Sequence, residues 1–405
     1  MVTFPMASGW LRPVLPVAAC VLLISAVAHV RVPLLPAIGD ELSMSASDLG
    51  IAVTLFGLGR LALDLPAGRL ADRFRPIRLM TISALVMTAG GVVLATAQVP
   101  LVVSVAFLLM GAASATANTT GMTSLSGAAP AEHRGSAMAL YSGCLLTGQA
   151  LGPALSGVVA AAGTWRTAAA TGAVLGLAVT VVSLAWRPRA LPGSDGPLPR
   201  GRASELSLGP VERAVLSAVG FGVFLTVAAL PQTLLPLIGS AELGLDVSTI
   251  GLAIGLGGLA RIVSAAVVGA VSDRVSRRAA LLPSLIFQVA GVLLLAVGDS
   301  ASWWLAAIVL MSLGASAHAV AATVLADRTD RAALGRSLGR FRFSADLGLV
   351  VGPALAAAIY ETSGRIAAVV TIAAVLALIT VAAAFLVPET GDRSLRTHPD
   401  EPAGA

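Results

Sequence analysis

Runs of about 20 apolar residues, each long enough as a helix to cross a hydrocarbon layer of roughly 30 Å, recur along almost the whole chain. Breaking them at charge, Pro and Gly clusters gives six spans in the first half: Val14 to Pro36, Asp48 to Ala67, Ile77 to Ala97, Leu101 to Leu125, Ser136 to Ala161 and Trp165 to Trp186. Six more follow: Ala214 to Leu235, Val247 to Val271, Ala279 to Val297, Ser302 to Leu325, Ser337 to Tyr360 and Ile366 to Val387. Only 12% of the 405 residues are charged and mean hydropathy is +0.90. Soluble domains carry about 25% charge, so lipid rather than water must solvate this surface. Little chain is left for a soluble domain.

The net charge of +5 is spread over short connections rather than gathered on one face, which argues for topology and against a nucleic-acid partner. Cys20 and Cys144 both sit inside apolar spans, so no disulfide framework, metal site or cofactor is implied. Arg12 precedes an apolar stretch ending in Ala26-Val27-Ala28, which imitates a signal-peptidase site, and Val17 to Cys20 imitates a lipoprotein box. Eleven further spans favour a retained first helix, and no cleaved signal is expected.

Arginine is concentrated in alternate loops, at Arg69 to Arg78, Arg134, Arg187 to Arg213, Arg274 to Arg278, Arg328 to Arg336, and Arg393 and Arg396. The positive-inside rule makes these loops cytoplasmic and puts both termini inside a multi-pass cell-membrane protein. The opposite loops carry Asp40, Glu41, Glu242, Asp246 and Asp299, with Arg166 and Arg365 as the basic exceptions. The longest loop is rich in Pro, Gly, Ser and Arg and reads as a flexible linker. The expected organisation is a six-helix half over 1–187, a cytoplasmic linker over 188–210, a second six-helix half over 211–388 and a cytoplasmic tail over 389–405.

The halves are copies. An offset of 200 or 201 aligns Leu35-Pro36 with Leu235-Pro236, Glu41-Leu42 with Glu242-Leu243, and Gly152-Pro153-Ala154-Leu155 with Gly352-Pro353-Ala354-Leu355. Arg60, Gly68, Asp72 and Arg73 align with Arg261, Gly269, Asp273 and Arg274. Charged residues at fixed spacing are not matched by chance in Ala- and Leu-rich sequence. Duplicated six-helix halves are an architecture of secondary transporters, with the substrate held between the halves near the bilayer midplane.

The loop Gly68-Arg69-Leu70-Ala71-Asp72-Arg73-Phe74-Arg75-Pro76-Ile77-Arg78 resembles the signature of the major facilitator superfamily, with Arg75 in place of the usual Gly. Gly148-Gln149-Ala150-Leu151-Gly152-Pro153, with Gly157, resembles the Gly-Pro motif of that family's antiporters, although Ser156-Gly157 stands where a Gly pair is usual. The Arg that many of its proton-linked exporters carry in the fourth span is Phe107 here, ahead of Gly111. The resemblance implies an all-α membrane fold of twelve transmembrane helices in two pseudo-symmetric six-helix bundles. It also implies gating by Gly68, Asp72 and Arg73 and their counterparts Asp273 and Arg274, with plain topology anchoring as the other reading. The first, fourth, seventh and tenth helices would line the cavity, which makes His29, Asn118, Gln232 and His318 binding candidates. Arg31 on the first and Thr119 on the fourth are candidates on the same ground, Arg31 with the alternative of snorkelling outward.

Charge inside the bilayer costs at least about 2.5 kcal/mol, so each such residue needs a partner or a task. Arg60 and Asp64 stand one turn apart, and Arg342 and Asp346 repeat that spacing, so each pair has the option of neutralising itself locally. Arg261 has no such partner, because Ala265 replaces the counterpart of Asp64. Arg60 and Arg261 resemble the paired arginines of the family's nitrate transporters. Glycine pairs such as Gly57 and Gly59, or Gly257 and Gly258, permit close helix approach. No phosphate-binding loop, zinc-ligand set or nucleophile elbow occurs, and this disfavours an ATP-driven pump or a membrane hydrolase.

Two readings of function follow. One is a monomeric proton-linked exporter of a small amphipathic molecule, with Asp64 or Asp346 as proton carriers and Arg342, Gly152 and Pro153 in the moving interface. The other is an importer of a small anion bound by Arg60 and Arg261. A transport-dead sensor is a third class, disfavoured by the lack of an appended soluble domain.

Overall fold

The computed structural model describes residues 11–74, 76–129, 133–185, 208–329 and 331–387, without the side chains of 11–13, 65–73, 128, 134, 185 and 331–335. Expectations for the linker and the tail fall largely outside these residues. The first half runs α1 (Leu11–Val30), α2 (Leu35–Leu42), α3 (Ala46–Arg73), α4 (Pro76–Ala95), α5 (Pro100–Ala128), α6 (Arg134–Ala162) and α7 (Trp165–Ala185). The second half runs α8 (Pro210–Ala229), a π-turn (Leu230–Leu234), α9 (Leu235–Ala241), α10 (Val247–Arg274), α11 (Arg277–Val297), α12 (Ala301–Gly314), α13 (Ala317–Asp327) and α14 (Arg331–Leu386).

Ten of these segments are long and apolar enough to span a membrane, and the bent pair of α1 and α2, which meet at 41°, makes an eleventh. The apolar part of α14 is 51 residues long, far more than one crossing needs. It is two spans joined at Gly364, whose φ of 80° breaks the helix. The twelve-helix fold follows. Proline at the first helical turn opens α5 and α8, where a missing N–H costs nothing, and the side chains of Asp246 and Ser276 cap α10 and α11.

Three spans are broken rather than straight. The first turns at residues 31–34, the seventh widens into the π-turn, and the tenth breaks between α12 and α13. The first and seventh breaks occupy equivalent positions of the repeat, and both spans run further than the hydropathy pattern implies, to Leu42 and Ala241.

Arg166 and Arg365, the two basic exceptions to the loop pattern, are equivalent clasps at the end opposite the arginine-rich loops. Arg166 meets Glu41 at 2.7 Å and donates to the carbonyls of Ala97 and Ala95 at the end of α4. Arg365 meets Glu242 at 3.2 Å and also pairs with Asp299. Each clasp ties three spans of its own half. Outward, residues such as Leu101, Val174, Leu177, Val267, Leu378 and Phe385 are exposed, as a lipid-facing surface requires.

Candidate functional site

A cavity of about 640 Å³ lies between the halves, reaching from His29 and Gln232 to Asp273 and Arg277 at the arginine-rich end. Six of the residues read from sequence as binding candidates, His29, Arg60, Asn118, Gln232, Arg261 and His318, stand in its wall, and the other two, Arg31 and Thr119, do not. The broken spans deliver three of the six. His29 ends α1, its Nδ1 2.8 Å from the carbonyl of Ser25, and Gln232 sits in the π-turn. His318 follows the break in the tenth span, between the rings of Phe224 and Phe341 with centroids 4.5 and 4.9 Å away. Asn118 is the repeat counterpart of His318 and is buried on α5.

The intramembrane ion pairs are not local. Arg60 pairs with Asp346 at 3.7 Å, and Arg342 pairs with Asp64 at 3.8 Å. The spacing of one turn, which suggests self-neutralising pairs, instead puts both charges of each helix on the face it turns to the other half. Asp346 is 2% exposed, and both oxygens of Asp64 and Oδ2 of Asp346 have no hydrogen-bond donor. The two carboxyls also face one another. Neither acid lines the cavity itself; Arg60 links it to them.

The corresponding seam between α6 and α10 is nearly uncharged. There Arg261 donates to Oε1 of Gln149 at 3.2 Å. Ser142 and Leu146 opposite, and Ala265 on its own helix, stand in the cavity wall at the positions that Arg342, Asp346 and Asp64 occupy in the other seam. Gln149 belongs to the Gly-Pro stretch noted in sequence, though its side chain was not singled out there.

Arg31 does not snorkel. It is fully buried, its guanidinium carbon 4.0 Å from the ring centre of Phe56 and 4.9 Å from that of Phe107, and Nη2 donates to Oε1 of Gln232 at 2.9 Å. Phe107, notable in sequence for replacing an arginine, thus carries on its face an arginine from the break in the first span.

Of the gating candidates, Gly152 packs against the backbone of Ala26 on α1 and Pro153 lines the cavity. Asp273 is bound not by Arg274, which is exposed, but by Arg277 at 2.5 Å; Arg277 also holds Asp327 at 3.0 Å. The helix α3 runs through Gly68, Asp72 and Arg73, whose side chains lie outside the described residues.

Comparison with known proteins places this geometry in context. The family model described as Major Facilitator Superfamily matches residues 17–240 and again 214–404. The tetracycline resistance protein, class B, of Escherichia coli is 36% identical over 140 residues, which are 34% of this chain and 33% of that relative. The match therefore spans about a third of the relative's length. Among solved structures, a bacterial homologue of the human lysosomal transporter Spinster, inward-facing and occupied, superposes with a TM-score of 0.74 at 15% identity, over 92% of this chain and 95% of that one. Its inward-facing, unoccupied form gives 0.68 at 13% identity, over 93% and 96%. These structures share the fold.

Proposed function

The chain belongs to the major facilitator superfamily and is a membrane transporter rather than an enzyme, and on that premise we propose that it exports a small amphipathic molecule in exchange for protons. Placing the arginine-rich loops in the cytoplasm makes the cavity open inward, where an exporter loads. Its wall mixes Phe224, Ile254 and Met311 with a few polar groups such as Asn118 and Arg261, a lining suited to a molecule with an apolar body. The partial match to a tetracycline resistance protein supports the direction of transport.

The observation that carries the coupling is the crossed quartet of Arg60 with Asp346 and Arg342 with Asp64. Two guanidiniums and two carboxylates balance across the seam. A proton added to a carboxylate oxygen that has no donor cancels one negative charge and turns that oxygen into a donor. The arginines cannot lose their charge in response. The seam then holds excess positive charge and one weakened ion pair, while the new O–H has the facing carboxylate as its acceptor, so protonation resets what holds α3 against α14. Alternating access by rocking of the halves follows from that step.

The reading of Arg60 and Arg261 as a matched anion pair is less favoured, because Asp346 engages Arg60 while Arg261 has only the amide of Gln149. Reconstitution in liposomes tests the proposal. An imposed pH gradient should drive accumulation of tetracycline or tetraphenylphosphonium. Asp346→Asn should abolish the dependence on the gradient while leaving substrate-for-substrate exchange measurable. Transport by the unaltered protein that ignores the gradient would overturn the coupling.

A further inference from the structure

Arg31 is 0% exposed and stands at the break in the first span. A guanidinium keeps its charge at any working pH, and burying a cation without an anion is unfavourable. Its surroundings compensate only in part. Two aromatic faces, Phe56 and Phe107, supply cation–π attraction, and Gln232 supplies one neutral acceptor. No carboxylate pairs with it among the described residues, and its buried Nε and Nη1 have no acceptor at all. Arg60, by contrast, has Asp346.

The place of this unsatisfied cation is informative. Gln232, Phe56, His29 and Val32, which surround it in sequence or space, all line the cavity, so Arg31 stands directly behind the cavity's closed end. The amide oxygen of Gln232 occupies one donor. A carboxylate or enolate oxygen is a stronger acceptor for a guanidinium and can take two donors together.

We propose that Arg31 is an oxyanion-binding site at the closed end of the cavity, that the amide oxygen of Gln232 is its placeholder, and that the transported molecule carries a carboxylate or enolate beside its apolar body. The proposal rests on the cavity being the substrate site. Gln232 belongs to the second half, 201 residues beyond Arg31. A substrate oxygen that displaces it therefore also removes a hydrogen bond between the halves, at the equivalent breaks of their first and seventh spans. Binding would thereby loosen the closed end.

Affinity for 2-naphthoate and for 2-naphthamide, measured on the purified full chain, tests this. The unaltered protein should bind the carboxylate at least about tenfold tighter than the amide, and Arg31→Gln should bring the ratio close to one. Gln232→Glu fills the site from within, so it should abolish the preference and raise the melting temperature. The inference is overturned if Arg31→Gln keeps the preference, or if Arg31→Gln does not fold and Gln232→Glu still binds 2-naphthoate as the unaltered protein does. Uptake of tetracycline, which carries an enolate, under a pH gradient separates this inference from the export reading. Driven uptake without any carboxylate preference sinks the oxyanion site alone. A carboxylate preference that depends on Arg31, without driven uptake, sinks proton-linked export alone.

Discussion

A methyl group on Gly50 would sit 2.8 Å from the carbonyl oxygen of Pro353. Its repeat counterpart Gly251 meets the carbonyl of Pro153 in the same way, so the two seams between the halves close by the same device at the same depth. Filling such a contact costs roughly 1–3 kcal/mol, all of it in the state where the seam is shut. Gly50→Leu should therefore reduce transport tenfold or more while the protein still elutes as a folded species. Size-exclusion chromatography and initial uptake rates check this, and undiminished transport would show that the seam opens and closes elsewhere.

The crossed quartet predicts non-additive stability. Removing Asp346 alone leaves Arg60 buried without its acid, at a cost on the order of 3 kcal/mol. Removing both side chains should recover most of that loss. A double-mutant cycle of Arg60→Ala and Asp346→Ala, followed by unfolding in detergent, gives the coupling; simple addition of the two single costs would argue that the 3.7 Å approach contributes nothing.

Asp246 caps α10, accepting from Ser248 at 2.6 Å and from the backbone of Thr249 at 2.8 Å. These bonds pull its carboxyl down to about 2. A lowered folded-state value contributes stability above the ordinary carboxylate range, and that contribution fades as pH falls from about 4 towards 2. Asp246→Ala should cost about 1 kcal/mol at neutral pH and close to nothing at the acid end. A penalty that stays constant with pH would mean that the charge is irrelevant to the cap.

Gly364 separates the last two spans with φ 80°, and nothing lies within 4 Å of where its Cβ would be. Substitution there is sterically free but conformationally strained. Gly364→Ala should lower stability by about 1–3 kcal/mol without altering packing. A melting temperature equal to that of the unaltered protein would indicate that the turn tolerates a side chain.

The architecture was legible because hydropathy reports length against the bilayer, and the repeat reports equivalence. Together they anticipated twelve spans, while the family resemblance pointed to the four helices that carry His29, Asn118, Gln232 and His318, which do line one cavity. Partner choice was not legible. A spacing of four residues places Arg60 and Asp64 on one face, and that holds equally for a local pair and for a shared interface; only the approach of α14 decides. Arg31 misled for a related reason. Position near a helix end suggests snorkelling, but the break at 31–34 turns the side chain inward onto Phe56 and Phe107. Arg166 and Arg365 looked like defects in a charge rule until their carboxylate partners, distant in sequence, were in view.

The uneven seams have a consequence for the ancestry of the chain. A tandem of two first halves would set Arg60 and Asp64 against Ser142 and Leu146 in both seams, with no acid or base across from them. A tandem of two second halves would bring Arg261 together with Arg342 and a single acid, Asp346, in each. Only the mixed tandem balances its charges across one seam. The duplicated copies are therefore complementary rather than interchangeable, since each supplies the acid that the other's arginine meets across the shared seam.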